Sequence, residues 1–117
     1  MKISEIVRIL DAKVLVEGSN MDMEIYSACG SDLMSDVMAY VKDNVMLLTG
    51  LINPQVIRTA EMMDIKVVAF VRGKNPDASI LRLAKEKDII VLRTELPMFM
   101  ACGKLYSAGL TGRGARC

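Results

Sequence analysis

There is no histidine anywhere in this 117-residue chain. That excludes triads and general bases built on imidazole, and it removes the commonest zinc ligand. Tryptophan is also absent, and aromatic residues make up only 4% of the total. Stacking platforms for unpaired bases need aromatic faces, so single-stranded nucleic acid is not an expected partner. Neither sign of charge dominates: 15 Lys and Arg stand against 14 Asp and Glu, for a net charge of +1. Nucleic-acid binding of any kind asks for a basic face, and none is indicated.

Cysteine is sparse and oddly numbered. Cys29, Cys102 and Cys117 form no CxxC pair, so neither a disulfide framework nor a thiol redox motif is expected. A three-thiolate site is still conceivable, and no metal is assigned. Long hydrophobic runs are missing too. Lys2, Glu5 and Arg8 interrupt the first residues, and nothing approaches the roughly 18 apolar residues of a membrane span. No membrane association is expected, and the expected location is cytoplasmic.

What the chain does have is a large apolar share, 52%, beside a normal 25% of charged residues. That suits one packed domain. Ten methionines read first as flexible fillers of core gaps and second as the lining of an adaptable interface.

Hydrophobic spacing sets out the elements. Ile3, Ile6, Val7 and Leu10 recur at helical intervals, with Ser4 as candidate N-cap and Glu5 in the first turn. Val14 to Val16 reads as a strand closed by the turn cluster Glu17-Gly18-Ser19-Asn20. A second extended piece covers Ile25 to Cys29. Ser31 or Asp32 is placed to cap a helix with the stripe Leu33, Met34, Val37, Met38 and Val41. Val45 to Leu48 is apolar on both faces, as in a covered parallel sheet.

A repeat follows. Three times an apolar strand gives way to a short polar turn and then a proline: Pro54, Pro76 and Pro97 recur 22 and 21 residues apart. Proline suits the first helical position because its φ is preset and its missing N–H has no helical partner. Asn53 and Asn75 stand before the first two as caps, and Thr94 or Glu95 is the substitute in the third. The helical stripes are Val56, Ile57, Ala60 and Met63; then Ile80, Leu83 and Ala84 with Leu81; then Met98, Cys102, Leu105 and Tyr106. The intervening strands are Lys66 to Val71 and Ile89 to Leu92. Strands joined by helices run parallel. The expected architecture is α/β, a three-layer α/β/α sandwich with a mainly parallel central sheet. It forms a single domain over residues 1–110, followed by a Gly- and Arg-rich flexible tail, 111–117.

Ligands of open parallel sheets sit outside the carboxyl ends of the strands, near a reversal of strand order. The turns at that edge carry Gly30, Ser31, Asp32, Thr49, Gly50, Arg72, Gly73, Arg93 and Thr94. Hydroxyls, helix N-termini and arginines are suited to an anion or nucleotide phosphate. The same residues have plain structural readings as turn glycines, helix caps and a solvated arginine. Neither a Walker-type phosphate loop nor a GxGxxG turn is present, and no motif names a cofactor. Asp32 and Asp36, four apart, read either as surface charges on one helical face or as a pair for acid–base or Mg²⁺ chemistry. Cys29 precedes a helix start, which favours thiolate. With no imidazole available it reads first as a small buried side chain, and Cys102 reads as core.

Three stretches carry a resemblance: Ala28-Cys29-Gly30-Ser31-Asp32-Leu33-Met34-Ser35-Asp36-Val37, Leu47-Leu48-Thr49-Gly50 and Val91-Leu92-Arg93-Thr94. Together, from about Lys2 to Leu110, the chain resembles the DRTGG domain family, itself similar to the N-terminal domain of HPr kinase/phosphorylase. The literal Asp-Arg-Thr-Gly-Gly string is absent, and only Thr49-Gly50 answers to its end. The resemblance implies an α/β/α regulatory or dimerising module, such as those found in phosphotransacetylases and in pyrophosphatases that carry CBS domains. It implies no kinase activity.

The expected function is therefore a regulatory domain, a homodimer, that binds a small anionic ligand, a nucleotide among the options, or a protein partner. The alternative is a small enzyme acting on a phosphorylated metabolite through Asp32 or Asp36 with Arg72.

Overall fold

Two strands have no solvent-facing side. In the computed structural model, which describes residues 1–39 and 43–111, β3 (Val45–Thr49) and β4 (Val67–Phe70) are buried at every position. Successive side chains of a strand point to opposite faces. Val45 and Leu47 therefore join Val68, Phe70 and Val91 in one core, while Met46 and Leu48 join Val67, Ala69 and Leu92 in another. Full burial of a Leu or Met side chain contributes about 1.5–3 kcal/mol, so both faces of this pair demand cover.

Helices supply it. The second core takes α1 (Ile3–Leu10) and α5 (Met98–Ser107) through Ile3, Ile6, Leu10, Ala101 and Leu105. The first takes α2 (Met34–Met38), α3 (Pro54–Met62) and α4 (Ala78–Glu86) through Val37, Val56, Ile57, Ala60, Ile80 and Ala84. The result is the expected α/β/α sandwich. The sheet is completed by β1 (Lys13–Val16), β2 (Ser27–Gly30) and β5 (Ile90–Arg93), in the order β1-β5-β4-β3-β2. Strands β2 to β5 pair in parallel, and β1 closes one edge antiparallel to β5.

This winding corrects one expectation. The parallel strands follow one another without a reversal of order. What changes is the face: α2, α3 and α4 lie together on one side, whereas α5 leaves β5 for the other side to pack on α1.

Several local readings also shift. Lys2, not Ser4, occupies the N-cap of α1, and its N–H donates to Glu5 Oε1 at 3.2 Å. Asn53 caps α3 as expected, accepting from Gln55 N at 2.8 Å with Pro54 in the first turn. The second repeat differs: Asp77 caps α4, accepting from Ile80 N at 3.0 Å, so Pro76 and Asn75 lie outside the helix. In the third, Pro97 itself holds the cap position with no side-chain acceptor, so neither Thr94 nor Glu95 caps α5. Tyr106 is exposed and Ala101 takes its place on the stripe. Leu33 and Met38 are exposed as well, leaving Val37 as the one fully buried side chain of α2. Val41, the last member of that stripe, and tail residues 112–117 lie outside the described residues. Among the described residues no helix is long and apolar enough to cross a membrane.

One buried hydroxyl ties the two ends of the fold. Thr94, just past β5, donates from Oγ1 to the carbonyl of Leu10 at 2.7 Å and accepts from Leu96 N at 3.2 Å. It is 1% exposed. Leu10 ends α1, where carbonyls lack helical partners. Replacing Thr94 by Val keeps the shape and strands that carbonyl, for an expected loss of about 1–3 kcal/mol. Urea unfolding of Thr94→Val beside Thr94→Ser checks this: the serine variant retains most of the stability, and equal loss in both would refute the hydroxyl's role.

Candidate functional site

Parallel pairing of β2 to β5 delivers four strand ends to one rim. The ladder runs on past the strands: Ser31 N donates to Leu48 O at 3.0 Å, Val71 N to Thr49 O at 3.0 Å and Thr94 N to Phe70 O at 2.9 Å. Arg72 N and Gly73 N then donate to Leu96 O and Thr94 O at 2.8 and 2.9 Å. All nine predicted residues lie at or just beyond these strand ends, but they divide into groups with different work.

The first group is Asp32, Thr49, Gly50 and Arg72. Asp32 Oδ1 accepts from Gly50 N at 2.6 Å and from Thr49 Oγ1 at 3.2 Å, while Oδ2 lies 3.4 Å from Arg72 Nη2. Thr49 Oγ1 also accepts from Leu51 N at 3.1 Å, which orients the hydroxyl. Asp32 and Arg72 are about half exposed, at 51% and 48%. The Arg72 guanidinium lies so close over Gly50 that any Cβ there would collide with it. Three loops from three consecutive strands thus converge on one carboxylate.

Arg72 is held in the left-handed region, at φ 61. Among the described residues the other non-glycine positive-φ positions are Asp11, Asn44, Asp64 and Asp88. Asn and Asp tolerate this region, whereas for an arginine it costs roughly 1 kcal/mol or more. Backbone bonds from Arg72 and Gly73 hold the conformation, and it sends the guanidinium across Gly50.

The second group is Gly73 and Arg93, joined by Glu95, which the sequence suggested only as a helix cap. Arg93 Nη2 donates to Gly73 O at 2.8 Å and pairs with Glu95 Oε2 at 2.8 Å. The Arg93 side chain is only 19% exposed, and its buried Nε has no partner. Gly73, at φ +64, accommodates Glu95: an added Cβ would sit 2.7 Å from Oε1. Glu95 was legible as an i+2 neighbour of Arg93 in extended chain, where such residues share a face.

The remaining three do not face a common site. Gly30 packs under α5, where a Cβ would meet Cys102 Sγ at 2.8 Å and Met98 Sδ at 3.2 Å. Ser31 Oγ makes a local turn, accepting from Leu33 N at 3.0 Å. Thr94 is the buried tie described above. Asp32 and Asp36 do not share a helical face either, because α2 begins only at Met34, with Leu33 as its N-cap. That boundary also separates Cys29 from the helix start. Burial pushes the Cys29 thiol up, and the charges of Asp36 and Cys102 add to the shift; burial pushes Cys102 up as well. Among the described residues no group of three or more Cys, Asp or Glu side chains is gathered to hold a metal ion.

The larger clefts lie elsewhere. A shallow one of about 620 Å³ runs along the outer side of α1 and α5, between Ile9, Phe99, Met100, Gly103 and Ser107. Two smaller ones, about 230 and 360 Å³, share Met23 and Lys66 at the opposite edge of the sheet.

A sandwich wound in this manner, with an ion-paired rim, defines a small α/β/α domain. It belongs to the DRTGG domain family, whose model matches residues 5–107. No curated protein matches the chain. Among solved structures it is similar to the regulatory region of Clostridium perfringens pyrophosphatase, with CBS and DRTGG domains, in complex with its activator diadenosine tetraphosphate. The TM-score is 0.74 at 14% identity, over 89% of this chain and 45% of that one, so this chain spans less than half of its neighbour.

The raised thiols yield a kinetic expectation. In a Cys117→Ser background, Cys29 and Cys102 should alkylate with iodoacetamide more slowly than a free thiol, with rates that climb only above the ordinary cysteine range. A thiolate is the reacting form, so Asp36→Asn should shift the Cys29 onset to lower pH. Rapid labelling of Cys29 near neutrality would contradict the assigned causes.

Proposed function

We propose that this chain is a regulatory domain that binds a small anionic ligand, nucleotide phosphates first among them, at the carboxyl rim of its parallel sheet. The observation that carries this reading is the donor set around Asp32: a backbone N–H and a hydroxyl from the end of β3 and a guanidinium from the loop after β4, drawn onto one negative charge. Such a set is suited to phosphate oxygens. Arg93 braces the loop that carries Arg72, through its bond to Gly73 O. The activator of the structurally similar pyrophosphatase region, a dinucleoside tetraphosphate, supports the choice of ligand class. Catalysis through Asp32 would require that carboxylate to leave Gly50 and Arg72 first.

The domain acts as a homodimer in this reading, with α5 at the contact. Phe99 is 85% exposed, and Met100 and Tyr106 are exposed on the same side. Gly103 stands among them inside the helix, where glycine costs about 1 kcal/mol relative to alanine. Nothing within 4 Å would meet a Cβ at that position. A neighbouring helix that packs closely there supplies a reason for the glycine. A protein partner other than a second copy is the competing occupant.

A thermal-shift series with AMP, ADP, ATP, diadenosine tetraphosphate and acetyl phosphate, with and without Mg²⁺, tests the ligand. A true ligand at 100 times its Kd adds about 2.7 kcal/mol, and Arg72→Ala should remove the effect. Stabilisation that survives Arg72→Ala, or silence across the series, would overturn the rim assignment. Product formation from any compound, lost in Asp32→Asn, would favour the enzyme instead. For the dimer, sedimentation equilibrium should show twice the chain mass at micromolar concentration and a monomer for Phe99→Glu. A wild-type monomer there rejects the dimer.

A further inference from the structure

The rim already holds an anion, and it is the protein's own. We propose that Asp32 is a built-in competitor: its carboxylate fills the seat that a ligand's phosphoryl group takes, and binding proceeds by exchange of one for the other. This rests on the rim being the ligand site, and it adds the mode of entry.

Three observations converge on the exchange. First, the donors are independent of Asp32. Gly50 N–H and Thr49 Oγ1 are placed by β3 and by the bond from Leu51 N. Arg72 is placed by its backbone bond to Leu96 O. None of these depends on the loop that carries Asp32, so the cradle persists when the carboxylate leaves. Second, what holds the plug is what a ligand would use. Asp32 Oδ1 takes its bonds from Gly50 N and Thr49 Oγ1, which an incoming phosphoryl oxygen can accept in its place. The ion pair of Oδ2 with Arg72 is long, at 3.4 Å, and both side chains are about half exposed, where solvent screening keeps such pairs weak. The Asp32 loop leads into α2, a helix of five residues whose one fully buried side chain is Val37. Third, Arg72 is the one positive-φ residue among the described residues that is neither Gly, Asn nor Asp. Strain of this kind persists where the surrounding structure imposes it and is a pointer to a working site. A mere surface pair would not need an arginine forced across a glycine.

The chemistry sets the ligand class. The seat offers one backbone N–H, one hydroxyl and one guanidinium edge, which match the oxygens of a single phosphoryl or pyrophosphoryl group.

The test uses the full chain and inorganic pyrophosphate as probe, by calorimetric titration, with the Gly50 amide followed by NMR. Asp32→Ala should bind at least tenfold more tightly than wild type, with Asp32→Asn between them because its neutral side chain still accepts from Gly50. Asp36→Ala removes an equivalent nearby charge and should stay within about twofold of wild type, which separates exchange from a general gain in attraction. In Asp32→Ala the Gly50 amide should move with pyrophosphate, and Arg72→Ala added to it should abolish the gain. Equal or weaker binding by Asp32→Ala, with wild-type binding still lost in Arg72→Ala, overturns the competitor role and leaves the rim intact as a site. Absence of binding in wild type and every variant overturns both. Circular dichroism and the melting temperature of each variant show that it is folded; Asp32→Asn, isosteric with the native side chain, carries the test if Asp32→Ala is not.

Discussion

Everything in this fold follows from two strands that cannot touch water. β3 and β4 carry apolar side chains on both faces, with Thr49 the single polar exception, and that hydroxyl is committed to hydrogen bonds. A sheet centred on such strands is stable only when helices lie on each side. The chain meets this by looping out through α2, α3 and α4 on one face and supplying α1 and α5 to the other. Each loop-out must leave a parallel strand at the same edge, so the rim is a by-product of covering the core. Its chemistry was then free to vary, because the backbone ladder that holds the loops needs no particular side chain.

How much of this was legible depends on how local the cause was. The strands β3, β4 and β5 declared themselves through branched and apolar runs, and the stripes of α3 and α4 through spacing. Asn53-Pro54 was read correctly because cap and first turn are adjacent residues. The second repeat was not, because Asp77 outcompetes Asn75: it lies nearer the helix and accepts from both Ile80 N and Ser79 Oγ. The identity of the cap turns on which acceptor is close enough, and proline tolerates a place just outside the helix. The antiparallel docking of β1 beside β5 was invisible, since it joins residues some 80 positions apart in the chain. Neither Val14 nor Leu92 carries any mark of the other.

The rim residues show the same division. Spacing alone read Asp32 as a cap or as half of a carboxylate pair, both local roles. Only the strand-end argument set it at one rim with Thr49, Gly50 and Arg72, without saying which of them bond. Its actual partners lie 18 and 40 residues away, beyond any spacing rule. Thr94 matched the rim by position yet turns inward to Leu10, because a hydroxyl at the end of β5 finds the open carbonyls of α1 within reach. Composition predicts which groups gather at an edge. It does not predict which of them face outward.

On the proposed exchange, the two arginines of the rim take different parts. Arg93 is mostly buried, donates to a fixed carbonyl and pairs with Glu95 at 2.8 Å. Displacing those partners would leave a buried cation, which is strongly unfavourable. Arg72 sits half in solvent with one long contact to a carboxylate that is itself half exposed. Removing that contact returns the guanidinium to water at little cost, and the bonds that Asp32 gives up to Gly50 N and Thr49 Oγ1 are ones an incoming anion can take over. The same side chain on two neighbouring strand ends therefore does opposite things: Arg93 locks the β4 and β5 loops together, and Arg72 keeps a charge available. The strained backbone at Arg72 follows from that difference, since an arginine meant only to brace the edge could have been placed as Arg93 is, without a left-handed residue.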